Sequence, residues 1–227
     1  MPDTNPMDTN MSENPAPAFT DSSASVVRKR PKPGERRVQI LQALASMLEK
    51  PGAERVTTAA LAAKLQVSEA ALYRHFASKA QMFEGLIEFI EQSVFSLINQ
   101  IVEREGAASA GSSDLGARQV AKVLAMVVQF AEKNPGMARV MVGDALVFEN
   151  ERLQQRMNQF FDKIEATIKQ CLRNYSAAGS ETPTLTVQVR SSVLVAFLVG
   201  RLQRFVRSGF KRLPSEYLDI SLPLLLG

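Results

Sequence analysis

The sequence predicts an all-helical protein with a small N-terminal three-helix domain and a larger C-terminal helical domain. Apolar residues recur at spacings of three and four along most of the chain, which is typical of helices that bury one face. No segment shows the sustained two-residue alternation of a strand. Hydrophobic residues make up 45% and charged residues 22% of the chain, the balance of a globular protein. We therefore expect about nine helices.

The first 34 residues predict a disordered leader that ends in a basic arm. Residues 1–27 contain four acidic residues and no Lys or Arg, and are rich in Pro, Asn, Ser and Thr. Residues 28–33 (RKRPKP) combine bases with prolines that hold a chain extended. Such an arm can follow a DNA backbone, or it can be a solubilising linker. Residues 28–82 hold eleven Lys or Arg against four acids, which indicates a phosphate-binding module.

Helices of residues 35–82 form the first domain, and those of residues 83–227 form the second. The first helix begins at Arg36 and ends at residues 50–52 (KPG). Thr57 or Thr58 can cap a helix over 59–65, and Ser68 can cap one over 69–76. Loops are expected at 106–116 and 176–183. The remaining helices are expected at 79–103, 118–133, 137–148, 151–174, 185–208 and 215–226.

The two short helices at 59–65 and 69–76 have the character of a helix-turn-helix. In this motif one helix braces across the DNA backbone and the next presents its N-terminal residues to base edges in the major groove. A compact core between them is supplied by Leu61, Ala62, Leu65, Val67 and Leu72. The sequence therefore predicts DNA reading by the second helix.

The candidate DNA contacts differ in the chemistry they offer. Tyr73, His75 and Lys79 can bind phosphates, and Arg74 can reach phosphate or guanine. Alanine methyls can touch thymine, and an acid at a helix start favours the helix dipole or contacts cytosine. The threonines can cap only, or also bind phosphate. The full candidate set is Thr57, Thr58, Ser68, Glu69, Ala70, Ala71, Tyr73, Arg74, His75 and Lys79.

The run of residues 57–79 resembles the DNA-binding domain of the TetR family. The end of its recognition helix has the family pattern Leu-Tyr-x-His-Phe followed by Ser-Lys, here residues 72–79. Ala70 and Ala71 stand where many members have Gly-Thr or Gly-Ser, which points to a subgroup. The resemblance implies a TetR-like fold and a dimer that binds palindromic sites.

Most of residues 36–214, without 106–116, is similar to the nucleoid occlusion subgroup of the TetR family, most distinctively at 134–136 (NPG) and 204–208 (RFVRS). That resemblance implies antagonism of the tubulin-like division protein FtsZ, through a groove for its C-terminal tail. Leu97 stands where we expect an Arg in this groove. Phe89 is either exposed there or packed on the first helix as a strut. The matching positions are Phe89, Met126, Gln129, Lys133 and Asn134.

The last two helices are the candidate dimer interface, because TetR-like proteins pair through them; packing inside one monomer is the alternative. Small and β-branched residues share one face of helix 185–208, and a leucine strip follows near the C-terminus. Two-fold pairing would space the recognition helices one DNA turn apart. The predicted residues are Val189, Val193, Ala196, Gly200, Leu222, Leu224 and Leu225.

Other function classes are less well supported. A ligand-responsive repressor needs an effector pocket, for which the candidates are Met126, Met137, Met141, Phe148 and Phe160, although such residues more often form a core. The single Cys171 and the single His75 indicate no disulfide, metal or redox site, and no phosphate loop points to an enzyme or a cofactor. Without a secretory signal or a run of about 20 apolar residues, we expect a cytoplasmic protein without a membrane segment.

Overall fold

The computed structural model describes residues 34–50, 55–108, 112, 114–176 and 184–226. In these ranges the chain is all-helical, with nine α-helices and one 3-10 turn at Asp144–Leu146, so the predicted fold class is confirmed. The expected leader and basic arm lie outside the described residues. The helices are α1 Glu35–Leu48, α2 Thr58–Leu65, α3 Glu69–Tyr73, α4 Lys79–Ala108, α5 Leu115–Lys133, α6 Pro135–Met141, α7 Glu151–Ser176, α8 Thr184–Arg207 and α9 Leu218–Leu226.

Several predicted helix boundaries are wrong. The helix expected over 137–148 ends at Met141, because Gly143 adopts a left-handed φ of 79° and a separate 3-10 turn follows. Helix α3 ends at Tyr73 rather than at residue 76. Helix α4 runs on to Ala108 and α5 begins at Leu115, so residues 106–108 and 115–116 of the expected loop at 106–116 are helical. The last helix begins at Leu218 rather than at residue 215.

One hydrophobic core extends from α1 to α9. Helices α4, α5, α7 and α8 supply its centre, where the rings of Phe95 and Phe160 meet edge to face with centroids 5.6 Å apart. Helix α4 begins at Lys79 and continues through the expected domain boundary at 82/83. That boundary therefore falls inside a helix, and the division into two domains stays a prediction.

The contact between α1 and α6 brings two backbones unusually close. Pro135 opens α6, and Gly136 follows it. A Cβ atom added at Gly136 would lie 2.0 Å from the carbonyl oxygen of Ala45 in α1. Arg139 of α6 also donates a hydrogen bond to the Leu48 carbonyl, at 3.3 Å. These contacts attach the first helix of the N-terminal domain to the body of the protein.

Helix α8 has the length and mean hydropathy of a membrane-spanning helix, and within the described ranges it is the one helix that does. These two properties do not show that α8 spans a membrane, because a core helix of a soluble protein has the same length and composition. Its inner residues Leu194, Leu198 and Leu202 are fully buried against the rest of the chain. Its outer residues Val189 and Val193 are 55% and 47% exposed. The helix thus has one packed face and one open apolar face.

Candidate nucleic-acid interface

The helix-turn-helix is built by local hydrogen bonds that the sequence predicts. The Thr57 hydroxyl accepts from the Ala60 amide at 3.1 Å, and the Ser68 hydroxyl accepts from the Ala71 amide at 3.3 Å. Between them Gln66 takes a left-handed φ of 54°, and the amides of Gln66 and Val67 donate to the last carbonyls of α2. The predicted capping roles of Thr57 and Ser68 are confirmed, and the turn ends α2 so that α3 can cross it.

The buried side of this motif leaves its other side free for a ligand. Leu61, Ala62, Leu72 and Phe76 are buried, at 1–3% exposure. On the outer side Tyr73 is 45% exposed. Thr57, Ser68, Glu69, Ala70 and Arg74 are likewise exposed, whereas Thr58, Ala71, His75 and Lys79 are half-buried. All ten candidate DNA contacts are therefore reached by solvent at least in part.

Two of the candidates bond to each other across the turn. The Thr58 hydroxyl donates to the Glu69 carboxylate at 2.6 Å, which joins the start of α2 to the start of α3. Glu69 also lies in the first turn of α3, where the helix dipole favours an acid. This hydrogen bond links α2 to α3. Both residues therefore have a structural role in addition to the DNA contacts predicted for them.

Arg37 and Glu149 support the candidate interface residues, and the sequence reasoning missed these supporting contacts. Arg37 donates to the His75 carbonyl at 2.7 Å and lies over the Phe76 ring at 4.1 Å, so it supports the end of the recognition segment from α1. Glu149, whose side chain is 7% exposed, accepts from Lys79 at 2.5 Å and pairs with Arg55 at 3.5 Å. Both contacts join residues far apart in the chain, which local spacing does not reveal.

The predicted FtsZ-tail positions lie on α4, on α5 and just after α5. Phe89 is 41% exposed, so it is not a buried strut. Gln129 and Lys133 are exposed and Met126 is half-buried; the spacing of three and four residues places them on one face of α5. Half-buried Asn134 donates its side-chain amide to the Phe130 carbonyl at 2.8 Å. Leu97 is 38% exposed on α4, an apolar side chain where we expected a cation.

The predicted dimer face is exposed in part. Val189, Val193 and Ala196 are exposed and Gly200 is half-buried, and Leu224 is 80% exposed. Leu222 is buried within the chain and Leu225 is half-buried, so the predicted leucine strip is wrong at Leu222. The short α9 turns that side chain inward because it packs on α5 and α8.

The candidate effector pocket is largely core. Met137, Met141 and Phe160 are buried, whereas Phe148 is 75% exposed. No group of three or more His, Cys, Asp or Glu in the described ranges could hold a metal ion. Burial raises the pKa of the Cys171 thiol above its ordinary value, which keeps the thiol protonated and weakly reactive.

Two family models match the chain. Residues 40–86 match the model of bacterial regulatory proteins of the tetR family, and residues 117–227 match a SlmA-like model described as a tetracyclin repressor-like C-terminal domain. The first model covers most of the predicted first domain, and the second covers residues 117–227 of the predicted second domain.

A solved structure shows which fold the chain shares, and two relatives show which proteins its sequence resembles. The fold is similar to fatty acid degradation regulator FadR of Bacillus halodurans (TM-score 0.69, 16% identity, 88% of this chain and 97% of that one). Nucleoid occlusion factor SlmA of Aliivibrio fischeri MJ11 is 48% identical over 82% of this chain and 91% of its own. SlmA of Marinomonas sp. MWYL1 is 49% identical over 82% of this chain and 90% of its own. The identity of about half of the aligned residues over 82% of this chain shows that the chain belongs to the SlmA family, which carries a TetR-type N-terminal domain.

Proposed function

We propose that this chain is a sequence-specific DNA-binding homodimer that acts as a nucleoid occlusion factor and blocks FtsZ ring assembly over the chromosome. The observation that carries the proposal is that recognition helix α3 has one buried side and one exposed side. Its inner side chain Leu72 is fully buried, while Tyr73 and Arg74 face outward. The relatives named nucleoid occlusion factors support the cellular role.

The DNA contacts follow from what each outer side chain offers. Arg74 binds phosphate or guanine, and Tyr73 and His75 bind phosphates. Lys79 contributes to this positive surface while it shares the carboxylate of Glu149. Thr57 and Ser68 each cap one amide, that of Ala60 and that of Ala71, so the exposed side chains share the phosphate contacts with the first-turn amides that these two hydroxyls do not bind.

Homodimerisation supports binding to palindromic DNA. The exposed stripe of Val189, Val193 and Ala196 on α8 is unpartnered within the chain and suits a second copy related by a two-fold axis. Two recognition helices about one turn of DNA apart then read two half-sites. Each half-site alone binds weakly because it engages one recognition helix.

The FtsZ tail binds the surface formed by Phe89 on α4 with Met126, Gln129 and Lys133 on α5. An exposed aromatic on α4 and an exposed cation on α5, two helices that pack on each other, suit an apolar peptide that carries an acid. Leu97 adds apolar area to this surface in place of a positive charge. We therefore expect the tail to bind this chain through apolar contacts more than through ion pairs.

The test combines a genome-wide binding profile with an FtsZ assembly assay. Many dispersed chromosomal sites, and slower FtsZ polymerisation when DNA-bound protein is added, are expected. Arg74→Ala should weaken operator binding at least about tenfold, whereas Arg104→Ala, an exposed Arg of α4 outside the interface, should not. A few promoter sites and no effect on FtsZ would instead indicate a transcriptional repressor.

The partner surface is tested separately. Phe89→Ala should abolish binding of a labelled FtsZ C-terminal peptide, measured by fluorescence anisotropy, and leave DNA affinity unchanged. Phe148→Ala is the matched control, because Phe148 is a more exposed aromatic on another part of the protein. Peptide binding that survives Phe89→Ala would refute this surface while leaving the DNA interface standing.

A further inference from the structure

The surface around the end of α3 carries cations that have no carboxylate partner. Its exposed side chains are Arg37 on α1 with Tyr73 and Arg74 at the end of α3, and we call this surface the recognition face. Neither arginine forms an ion pair with any residue that the structure describes. The acid of α3, Glu69, already accepts a hydrogen bond from Thr58. The recognition face therefore holds positive charge that is not neutralised when DNA is absent.

This face stays accessible in the proposed homodimer. The stripe that pairs two copies, Val189, Val193 and Ala196, lies on α8, whereas α3 packs mainly on α2. A dimer that reads two half-sites must keep both of its recognition helices open to solvent. The exposure of Arg37 and Arg74 in one chain therefore holds for the assembly as well.

The segment that precedes the fold has the opposite charge. Residues 1–27, which we call the acidic segment, lie outside the described residues and contain no Lys or Arg. The family model of the DNA-binding domain begins at residue 40, so family membership assigns this segment no role. A stretch with one sign of charge is attracted to a surface of the other sign. The acids of the segment are Asp3, Asp8, Glu13 and Asp21.

The chain enters the fold beside the recognition face. Gly34 precedes α1, and Arg37 follows three residues later, about 4.5 Å along the helix axis. The Arg37 guanidinium donates to the His75 carbonyl at 2.7 Å and lies 4.1 Å from the centre of the Phe76 ring, so the start of α1 is next to the end of the recognition segment. Six residues span up to about 20 Å, so residues 28–33 are long enough to bring the acidic segment back to α3.

We propose that the acidic segment binds the recognition face of its own chain when DNA is absent, with its carboxylates on Arg37 and Arg74, and that operator DNA displaces it. The inference rests on the proposed DNA-binding function and adds a regulation of that same site. A short tether gives such a segment an effective concentration on the order of 1 mM. A contact with an intrinsic dissociation constant of about 0.1 mM then weakens DNA binding about tenfold.

Two variants of the full-length chain separate charge from composition. The neutral variant replaces all four acids of the segment by their amides, as Asp3→Asn, Asp8→Asn, Glu13→Gln and Asp21→Asn. The polar control keeps the four charges and replaces uncharged residues of the same segment, as Asn5→Ala, Asn10→Ala, Asn14→Ala and Ser22→Ala. Both variants leave the described fold and the recognition face unchanged.

The first measurement is the affinity for an operator duplex, followed by fluorescence anisotropy. We expect the neutral variant to bind about tenfold more tightly than the wild type at about 50 mM salt, and the polar control to bind like the wild type. The gain should shrink as salt rises to about 200 mM, because salt screens the contact between the segment and the recognition face. Equal affinities of the wild type and the neutral variant would overturn the proposal.

The second measurement separates docking from simple repulsion between the segment and DNA. Ser12→Cys carries a spin label, and Cys171 stays unlabelled because it is buried. In the otherwise wild-type chain, the label should broaden the amide signals of Tyr73 and Arg74 more than that of Asn99 on α4. The neutral variant with the same label should lose this broadening, and so should the wild type with operator DNA. Equal broadening in both backgrounds, or an affinity gain without broadening, would overturn the docking.

The basic arm at residues 28–33 is the competing partner of the acids. Neutralising the acids would then change the signals of the arm and leave that of Tyr73 as it was, which would refute the recognition face as the docking site. If the face is the site, Arg74→Gln reduces the broadening at Tyr73, whereas Arg104→Gln, at an exposed position of α4, does not. The label needs no DNA, so a failure of every variant to bind operator would refute the proposed function alone.

Discussion

Two glycines occupy opposite environments in this protein. Gly136 lies where α6 meets α1, and a Cβ there would fall 2.0 Å from the Ala45 carbonyl oxygen. Gly200 lies on the outer side of α8, and a Cβ there would meet nothing within 4 Å. In sequence both are small residues within helices. A glycine in a helix therefore does not by itself show that another backbone of the same chain lies close to it. At Gly136 such a backbone is present, and at Gly200 it is absent.

The regions around the two glycines differ in the same way. Around Gly136 the side chains of Met137, Ala138 and Val140 are buried and the space is filled. Around Gly200 the outer face of α8 keeps Val189 and Val193 about half exposed. The first region is complete within one chain. The second is the part of the fold that a partner would complete.

The largest effect is expected at the complete region. Gly136→Ala places a methyl group against backbone, so α1 and α6 must separate. We expect a loss of about 3 kcal/mol in the free energy of unfolding and a fall of about 10 °C in Tm. Thermal unfolding followed by circular dichroism measures both. An unchanged Tm would show that the junction is less tightly packed than the contact with Ala45 indicates.

The next effect concerns the open face. Val193→Glu places a charge on the exposed stripe of α8 without disturbing the core, so helicity should stay unchanged. If the homodimer forms through this face, sedimentation will show monomers and affinity for a palindromic site will fall about 100-fold, since one half-site replaces two. Asn99→Glu, which adds the same charge at an exposed position on α4, is the control. Dimers that persist in Val193→Glu would place the interface elsewhere.

A smaller effect is expected where Glu149 attaches the start of α4. Glu149→Gln keeps the shape but leaves Lys79, whose side chain is 19% exposed, without its carboxylate. We expect a cost of about 1–3 kcal/mol in the free energy of unfolding. Glu84→Gln provides the comparison, because its partner Arg152 is largely exposed and such pairs contribute at most about 1 kcal/mol. Chemical denaturation ranks the two, and equal costs would contradict the buried role of Glu149.

The smallest effect is expected for Gly200→Ala, which should act differently in the monomer and in the dimer. In the Val193→Glu background, Gly200→Ala should raise the free energy of unfolding by up to about 1 kcal/mol, because Ala favours helix and the site is open. In the wild-type background the same change should weaken dimerisation by several-fold if two α8 helices approach closely there. Equal stabilisation in both backgrounds would separate Gly200 from the interface.

The elements that the sequence predicted correctly depend on neighbours in the chain. The caps at Thr57 and Ser68 each bond to an amide three residues later, so local spacing suffices to find them. The end of α6 was missed because the residues around Gly143 continue an apolar pattern, and the left-handed turn of one glycine interrupts it. Local signals thus predicted helix starts better than helix ends.

The rest of the site depends on contacts that no local pattern encodes. Arg37 reaches His75 across 38 positions, and Glu149 reaches Lys79 across 70. Leu222 was wrongly predicted to lie on the exposed dimer face, because the sequence of a short apolar helix does not show which of its faces is buried. Phe89 was left open between strut and exposed surface until the packing of α4 decided it.

Helix α4 has a consequence for the spacing of the DNA sites. It begins three residues after Phe76 and continues for 30 residues, a length of about 45 Å. A tilt of about 5° about its far end would displace its start by about 4 Å, which is close to the rise of one base pair, about 3.4 Å. If the proposed homodimer binds paired half-sites, the distance between half-sites that it tolerates depends on how firmly α4 is held, at its start by Glu149 and along its length by α5 and α7.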